Sequence, residues 1–153
     1  MRRLLLSALC ALPVMAALSV PAPARAEEIK PAVVFDMGGK FDKSFNEAVH
    51  NGAEAFTKAT GIEVREFEPQ NDTQREQALR NLARRGQTPI VAVGFNQASA
   101  LKVVAAEFPK LHFVILDTVV EAPNVQSVVF REEQGSYLAG MLAALRSGTG
   151  KVG

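Results

Sequence analysis

The chain has a single cysteine, Cys10, and it falls in a segment that reads as disposable. Arg2 and Arg3 make a basic start, residues 4–18 are apolar, and Ala24-Arg25-Ala26 is a small-x-small cleavage signal. That is the layout of a secretory signal peptide over residues 1–26, and its apolar stretch is short for a membrane-spanning helix. Leu9 stands before Cys10 where a lipidated cysteine would be expected to follow a small residue, so lipidation is not expected and Cys10 leaves with the signal. The mature chain then has no thiol. Disulfide scaffolds and cysteine chemistry are excluded, stability must come from a buried core, and a soluble periplasmic product is expected.

An excess of positive charge is also missing. The chain carries 17 Lys+Arg against 16 Asp+Glu, but three of the arginines lie in the signal, leaving 17 − 3 = 14 against 16. No basic stripe remains to suggest a nucleic-acid partner. No apolar run after residue 26 is long enough to cross a bilayer. The two histidines, His50 inside a predicted helix and His112 at the start of a predicted strand, stand apart from the candidate site, so neither a Ser-His-Asp site nor a zinc cluster has a histidine to use. "GGKFDKS" and "GTGKVG" both miss the spacing of a phosphate loop, and the first turn lacks the GxGxxG fingerprint. No catalytic, metal or cofactor site is therefore expected.

What is present is an alternation of apolar runs and amphipathic stretches. Strands are predicted at 32–35, 62–67, 89–93, 113–116 and 125–130. Helices are predicted from about Ser44 to Gly61, over 71–86, over 97–108 and over 132–146. Ser44 followed by Glu47 fits a capping box for the first helix. Near-continuous apolar strands alternating with helices indicate an α/β fold with a Rossmann-like, doubly wound parallel sheet covered on both faces. The small residues Gly135, Ser136, Ala139, Gly140, Ala143 and Ala144 would let the last helix pack closely on that sheet. The segment "SGTGKVG" breaks this helix and reads as entry into a further strand, so the chain is expected to be a piece of a longer protein.

In such sheets ligands collect beyond the carboxyl ends of the strands. That rim is expected to carry 36–39, 94–96, 117–118 and 130–132. Two carboxylates, Asp36 and Asp117, close strands there, and the stretch "FDMGGKFDKSFNE" adds Lys43, Phe45 and Asn46. Each has a plain alternative: Asp as a helix cap, Lys43 as a solvated charge, Phe45 as a core residue on the stripe of Val49 and Phe56, and Asn46 as a turn residue. Together they suit a polar, planar ligand. A hydrolase using the two aspartates is the weakest option, since no further positioned acid is evident.

"DMGGKFDKSFNE", "VAVGF", "FVILD" and "EEQGSYLAGMLAA", in that order, resemble the basic membrane protein (BMP/PnrA-like) family of ABC transporter substrate-binding proteins. The resemblance implies the first lobe of a type I periplasmic-binding-protein-like fold at 27–147, with 148–153 starting the crossover into a second lobe. It also implies capture of a purine nucleoside or related base, without catalysis or cofactor, and delivery to an ABC permease by hinge closure of a monomer. Phe45 matches the ring that stacks on the base, Asn46 the amide on the base edge, and Asp117 the carboxylate on the ribose hydroxyls; Asp36 and Lys43 match positions near the ligand. Lys40 departs from the family's pattern, where an acidic residue or a shorter polar turn is common. A secreted sensor presenting the same ligand to a membrane receptor is the alternative.

Overall fold

The computed structural model describes residues 29–152, so the signal expected at 1–26 and Cys10 lie outside the described residues. Five strands, β1 (Ala32–Val34), β2 (Arg65–Phe67), β3 (Ile90–Val93), β4 (Phe113–Leu116) and β5 (Val125–Val128), form one sheet in the order β2-β1-β3-β4-β5. Every pairing is parallel. The helices are α1 (Phe45–Thr60), α2 (Asp72–Arg84), α3 (Ala98–Glu107) and α4 (Glu132–Arg146), with a 3-10 turn at Phe95–Gln97 leading into α3. The α/β alternation and the parallel sheet are as expected, and β4 and α4 have the expected bounds.

The period of two along each strand decides what each side chain meets. Ala32, Val34, Ile90, Ala92, Phe113 and Ile115 face α2 and α3, where Ala78, Leu79, Leu82, Leu101 and Val104 complete one buried cluster. Full burial of a Leu or Ile side chain contributes roughly 1.5–3 kcal/mol, so this face holds most of the core. The opposite face is smaller: Val33, Phe35 and Val93 with Phe45, Val49, Val64, Val91 and Leu116 packed against them. A sheet wound from β1 outward in both directions changes helix side where the order reverses, and the reversal lies between β1 and β3.

One expectation fails. No residue of α4 is buried, Tyr137, Leu138, Leu142 and Leu145 are exposed, and a Cβ placed on Gly135 or Gly140 would meet nothing within 4 Å. The small residues of α4 therefore do not pack on the sheet here. Small side chains permit close approach but supply little apolar area to drive it. The larger side chains that could drive it are equally uncovered.

Candidate ligand-binding site

The β1–α1 connection is built by one carboxylate. Ser44 is the N-cap of α1, but its side chain makes no capping bond. Asp42 caps instead: its Oδ1 accepts from the N–H groups of Ser44 (2.8 Å) and Glu47 (3.1 Å), and its Oδ2 from that of Asn46 (3.1 Å). Glu47 reaches back to the Lys43 N–H at 3.0 Å. The expected capping box is corrected accordingly. A carboxylate has lone pairs for three donors where a hydroxyl serves fewer, and Lys43 at φ 58° turns the chain so that Asp42 overlies the first helical turn. Partial desolvation pushes the Asp42 carboxyl up, but the three N–H donors outweigh it and hold the group below its usual range.

Asn46 is 2% exposed. Its Oδ1 accepts from the Asp36 N–H at 3.0 Å and its Nδ2 donates to the Asp36 carbonyl at 3.3 Å. In this arrangement its amide holds the end of β1 against the start of α1. Asp36 in turn receives Arg75 Nη2 on Oδ1 at 3.0 Å and Asn96 Nδ2 near Oδ2 at 3.4 Å. Arg75 also donates to Asp72 Oδ1 at 2.6 Å, and its side chain is only 9% exposed. Behind this group, the Nε2 of the fully buried Gln97 donates to the carbonyls of Val34 (2.8 Å), Phe35 (3.0 Å) and Val93 (3.2 Å), joining the ends of β1 and β3.

Gly94 makes room for the Asp36 carboxylate. Its φ is +91°, and a Cβ there would stand 2.8 Å from Asp36 Oδ2. Gly94→Ala is expected to cost roughly 1–3 kcal/mol through backbone strain and displacement of that carboxylate. Urea unfolding of wild type and variant checks this; a loss under about 0.5 kcal/mol, the scatter of ordinary surface changes, would count against it.

Phe45 and Asp117 meet at a second place on the rim. They line one cavity of about 470 Å³ with Ala48, Val49, Leu116, Phe130 and Glu132. Phe45 is half-buried, so one part of it packs on the Val33–Phe35–Val93 cluster while another borders the cavity. The expected core packing is present, and the same side chain is open to the cavity. Asp117 has φ 69°, and its N–H donates to the Val128 carbonyl at 2.8 Å, extending the β4–β5 ladder beyond the strand. Non-glycine residues at positive φ cost roughly 1–3 kcal/mol when held there and cluster at ligand sites; Lys43 and Asp117 are the two such residues described. Glu132 has its carboxyl pushed up, first by a hydrogen bond with Asp117 and then by the charge of Asp117.

Of the five expected site residues, the structure thus brings Phe45 and Asp117 to one cavity. Asp36 and Asn46 form a neighbouring hydrogen-bonded unit, and Lys43 sits exposed in the connecting turn. Phe130 and Glu132 were placed on the rim by the strand-end rule but not singled out. Arg75 was missed altogether, although its spacing to Ala78, Leu79 and Leu82 puts it on the buried stripe of α2.

This architecture is that of an ABC solute-binding protein. A solute-binding protein of an Aeropyrum pernix ABC transporter system superposes with a TM-score of 0.72 at 33% identity, covering 76% of this chain and 32% of that one. Residues 29–153 match the family described as ABC transporter substrate-binding protein PnrA-like, and the chain belongs to that family. It is also similar to an uncharacterised lipoprotein of Pyrococcus abyssi, 32% identical over 78% of this chain and 30% of the relative. An ABC transporter nucleoside-binding protein, BmpA of Lactococcus lactis, is 28% identical over 82% of this chain and 37% of the relative. The chain spans about a third of the length of these relatives. The family is one of binding proteins, not enzymes. The expectation of a free periplasmic protein is corrected: three Pyrococcus relatives are named lipoproteins, a class that covalent lipid holds at a membrane.

Proposed function

We propose that this chain forms the first lobe of a two-lobed binding protein that captures a purine nucleoside or related base and passes it to an ABC permease. Residues 27–147 are the ligand-binding lobe in this reading, and 148–153 begin the crossover to the second. The single observation that carries it is the shared cavity of Phe45 and Asp117, an aromatic face beside a carboxylate on residues far apart in the chain. A flat base stacks on Phe45, and the ribose diol donates to Asp117. Asp36 and Asn46 shape the floor beside the ligand, and Lys43 approaches from the turn. The second lobe then closes over the ligand by hinge motion, giving the form that the permease recognises.

Isothermal titration of the full-length protein with inosine, adenosine, guanosine, free purines and riboflavin tests this directly. Heat with the nucleosides supports it, and no heat with any of them removes the nucleoside assignment. Phe45→Ala is expected to weaken binding by roughly 1–3 kcal/mol, the worth of stacking a base on an aromatic ring. Unchanged affinity in that variant would show that the ring is only a packing element.

A further inference from the structure

Lys40 does not line the cavity of Phe45 and Asp117; its side chain turns to the edge strand β2. It follows Gly38 and Gly39, at φ +112° and +81°, a pair whose backbone is free to take many paths. The Lys40 N–H donates to Glu68 Oε2 at 3.0 Å, just beyond β2, and its Nζ donates to Glu66 Oε2 within β2 at 2.8 Å. The other oxygen of Glu66, Oε1, accepts from His50 Nδ1 on α1 at 2.7 Å. Phe41 closes the group: its ring lies edge-on to His50 with centroids 5.2 Å apart, and Lys40 Nζ stands 5.4 Å from its centroid. One carboxylate on β2 thus ties the glycine turn to the helix it leads into.

Exposed ion pairs contribute little. This one differs, because the Glu66 side chain is only 19% exposed and its partners Lys40 and His50 are mostly buried. Burial pushes the Glu66 carboxyl up, but the bonds from Lys40 and His50 outweigh it and hold the group below its usual range. Removing Lys40 therefore leaves a half-buried charge short of one partner. Two residues after Lys40, Asp42 collects the N–H groups that open α1, and Lys43 and Phe45 flank that cap.

We propose that Lys40 and Glu66 are positioning residues for ligand capture: by fixing the two-glycine turn to β2, they hold Lys43 and Phe45 in the binding arrangement before ligand arrives. The proposal rests on the nucleoside reading of the cavity shared by Phe45 and Asp117. Neither Lys40 nor Glu66 touches the ligand in this reading. Their contribution is pre-organisation, since a turn already fixed has less freedom to lose on binding. Lys40, which departs from the family's pattern, thereby serves the turn and not the choice of ligand.

Titration calorimetry of the full-length protein with inosine compares wild type with Lys40→Met, Glu66→Gln, the double variant and Lys40→Arg. Each single removal is expected to weaken binding roughly fivefold, within the cost of ordering one or two further side chains on binding. The double variant should lose no more than the larger single loss, since both changes break one bond. Lys40→Arg keeps the charge and a donor, and should bind within about twofold of wild type. A loss under about twofold in Lys40→Met, losses that multiply in the double variant, or no rescue by arginine would each overturn the proposal.

Amide hydrogen exchange gives a readout that needs no ligand. The N–H groups of Lys40, Ser44, Asn46 and Glu47 should exchange faster in Lys40→Met and Glu66→Gln, and as in wild type in Lys40→Arg, with those of β3 and β4 unmoved. Equal acceleration in β3 and β4 would mean a general loss of stability, and no acceleration at the turn would mean that nothing there depends on Lys40. Either result overturns the positioning role. If no nucleoside binds the wild type, the nucleoside reading fails by itself, and exchange alone decides whether Lys40 fixes the turn.

Discussion

Asp117→Ala is expected to lower inosine affinity by roughly 3 kcal/mol, since each hydrogen bond to a charged carboxylate contributes about 1.5–3 kcal/mol. That is about a 100-fold loss. Affinity for a free purine, which has no ribose, should change far less. The difference between the two ligands is the informative quantity, because a variant that merely disturbed the pocket would weaken both alike. Asp117 also holds a positive φ and a backbone bond to Val128, so Asp117→Asn serves as the control that keeps the local conformation. Asn tolerates that region as Asp does, and it replaces the charged carboxylate by a neutral amide of the same shape, with one acceptor oxygen exchanged for a donor. Titration of inosine and hypoxanthine against wild type and both variants checks the outcome. Equal losses for the two ligands would remove Asp117 from the ribose.

The second large effect concerns stability. Arg75→Met should destabilise the fold by about 3 kcal/mol, toward the lower end for breaking one side of a buried ion pair. The reason is the group left behind. Asp36 keeps its carboxylate wedged against Gly94 and near Asn96, at 21% side-chain exposure, with its cation removed. The Arg75–Asp72 bridge contributes little to this loss, because Asp72 is 82% exposed. Combining Arg75→Met with Asp36→Asn removes the orphaned charge, so the double variant should be more stable than Arg75→Met alone. Urea unfolding of the two single variants and the double variant gives the coupling energy. Strict additivity would show that the pair does not stabilise the rim.

Much of this molecule was legible before any coordinates. The strands at β3 and β4 announced themselves as short apolar runs, and their continuity implied neighbours on both faces, as the two clusters around Ala92 and Val93 bear out. Gly61 ended α1 in the left-handed conformation, as a C-terminal cap should. The rim segments followed from a single rule about strand ends. Side-chain partners were much less legible. Ser44 and Glu47 matched a capping pattern, yet the neighbouring Asp42 took the N–H groups, because local geometry set by Lys43 decided between two adequate acceptors. Asn46, expected near a ligand, also bonds both the N–H and the carbonyl of Asp36, a partner ten residues away that no local pattern announced.

The amino-acid order by itself determined the element types, the parallel class of the sheet and the family, because hydrophobic period and turn chemistry are local properties that survive without knowledge of partners. Only the tertiary structure decided that Phe45 and Asp117 border one cavity with Glu132, that Arg75 backs Asp36, and that α4 lies uncovered. Those facts depend on strand order and on which side chain reaches an acceptor first. Such choices are made by long-range packing and by competition among nearly equivalent hydrogen-bond partners, and a local pattern does not rank those competitors even where it contains both, as with Ser44 and Asp42.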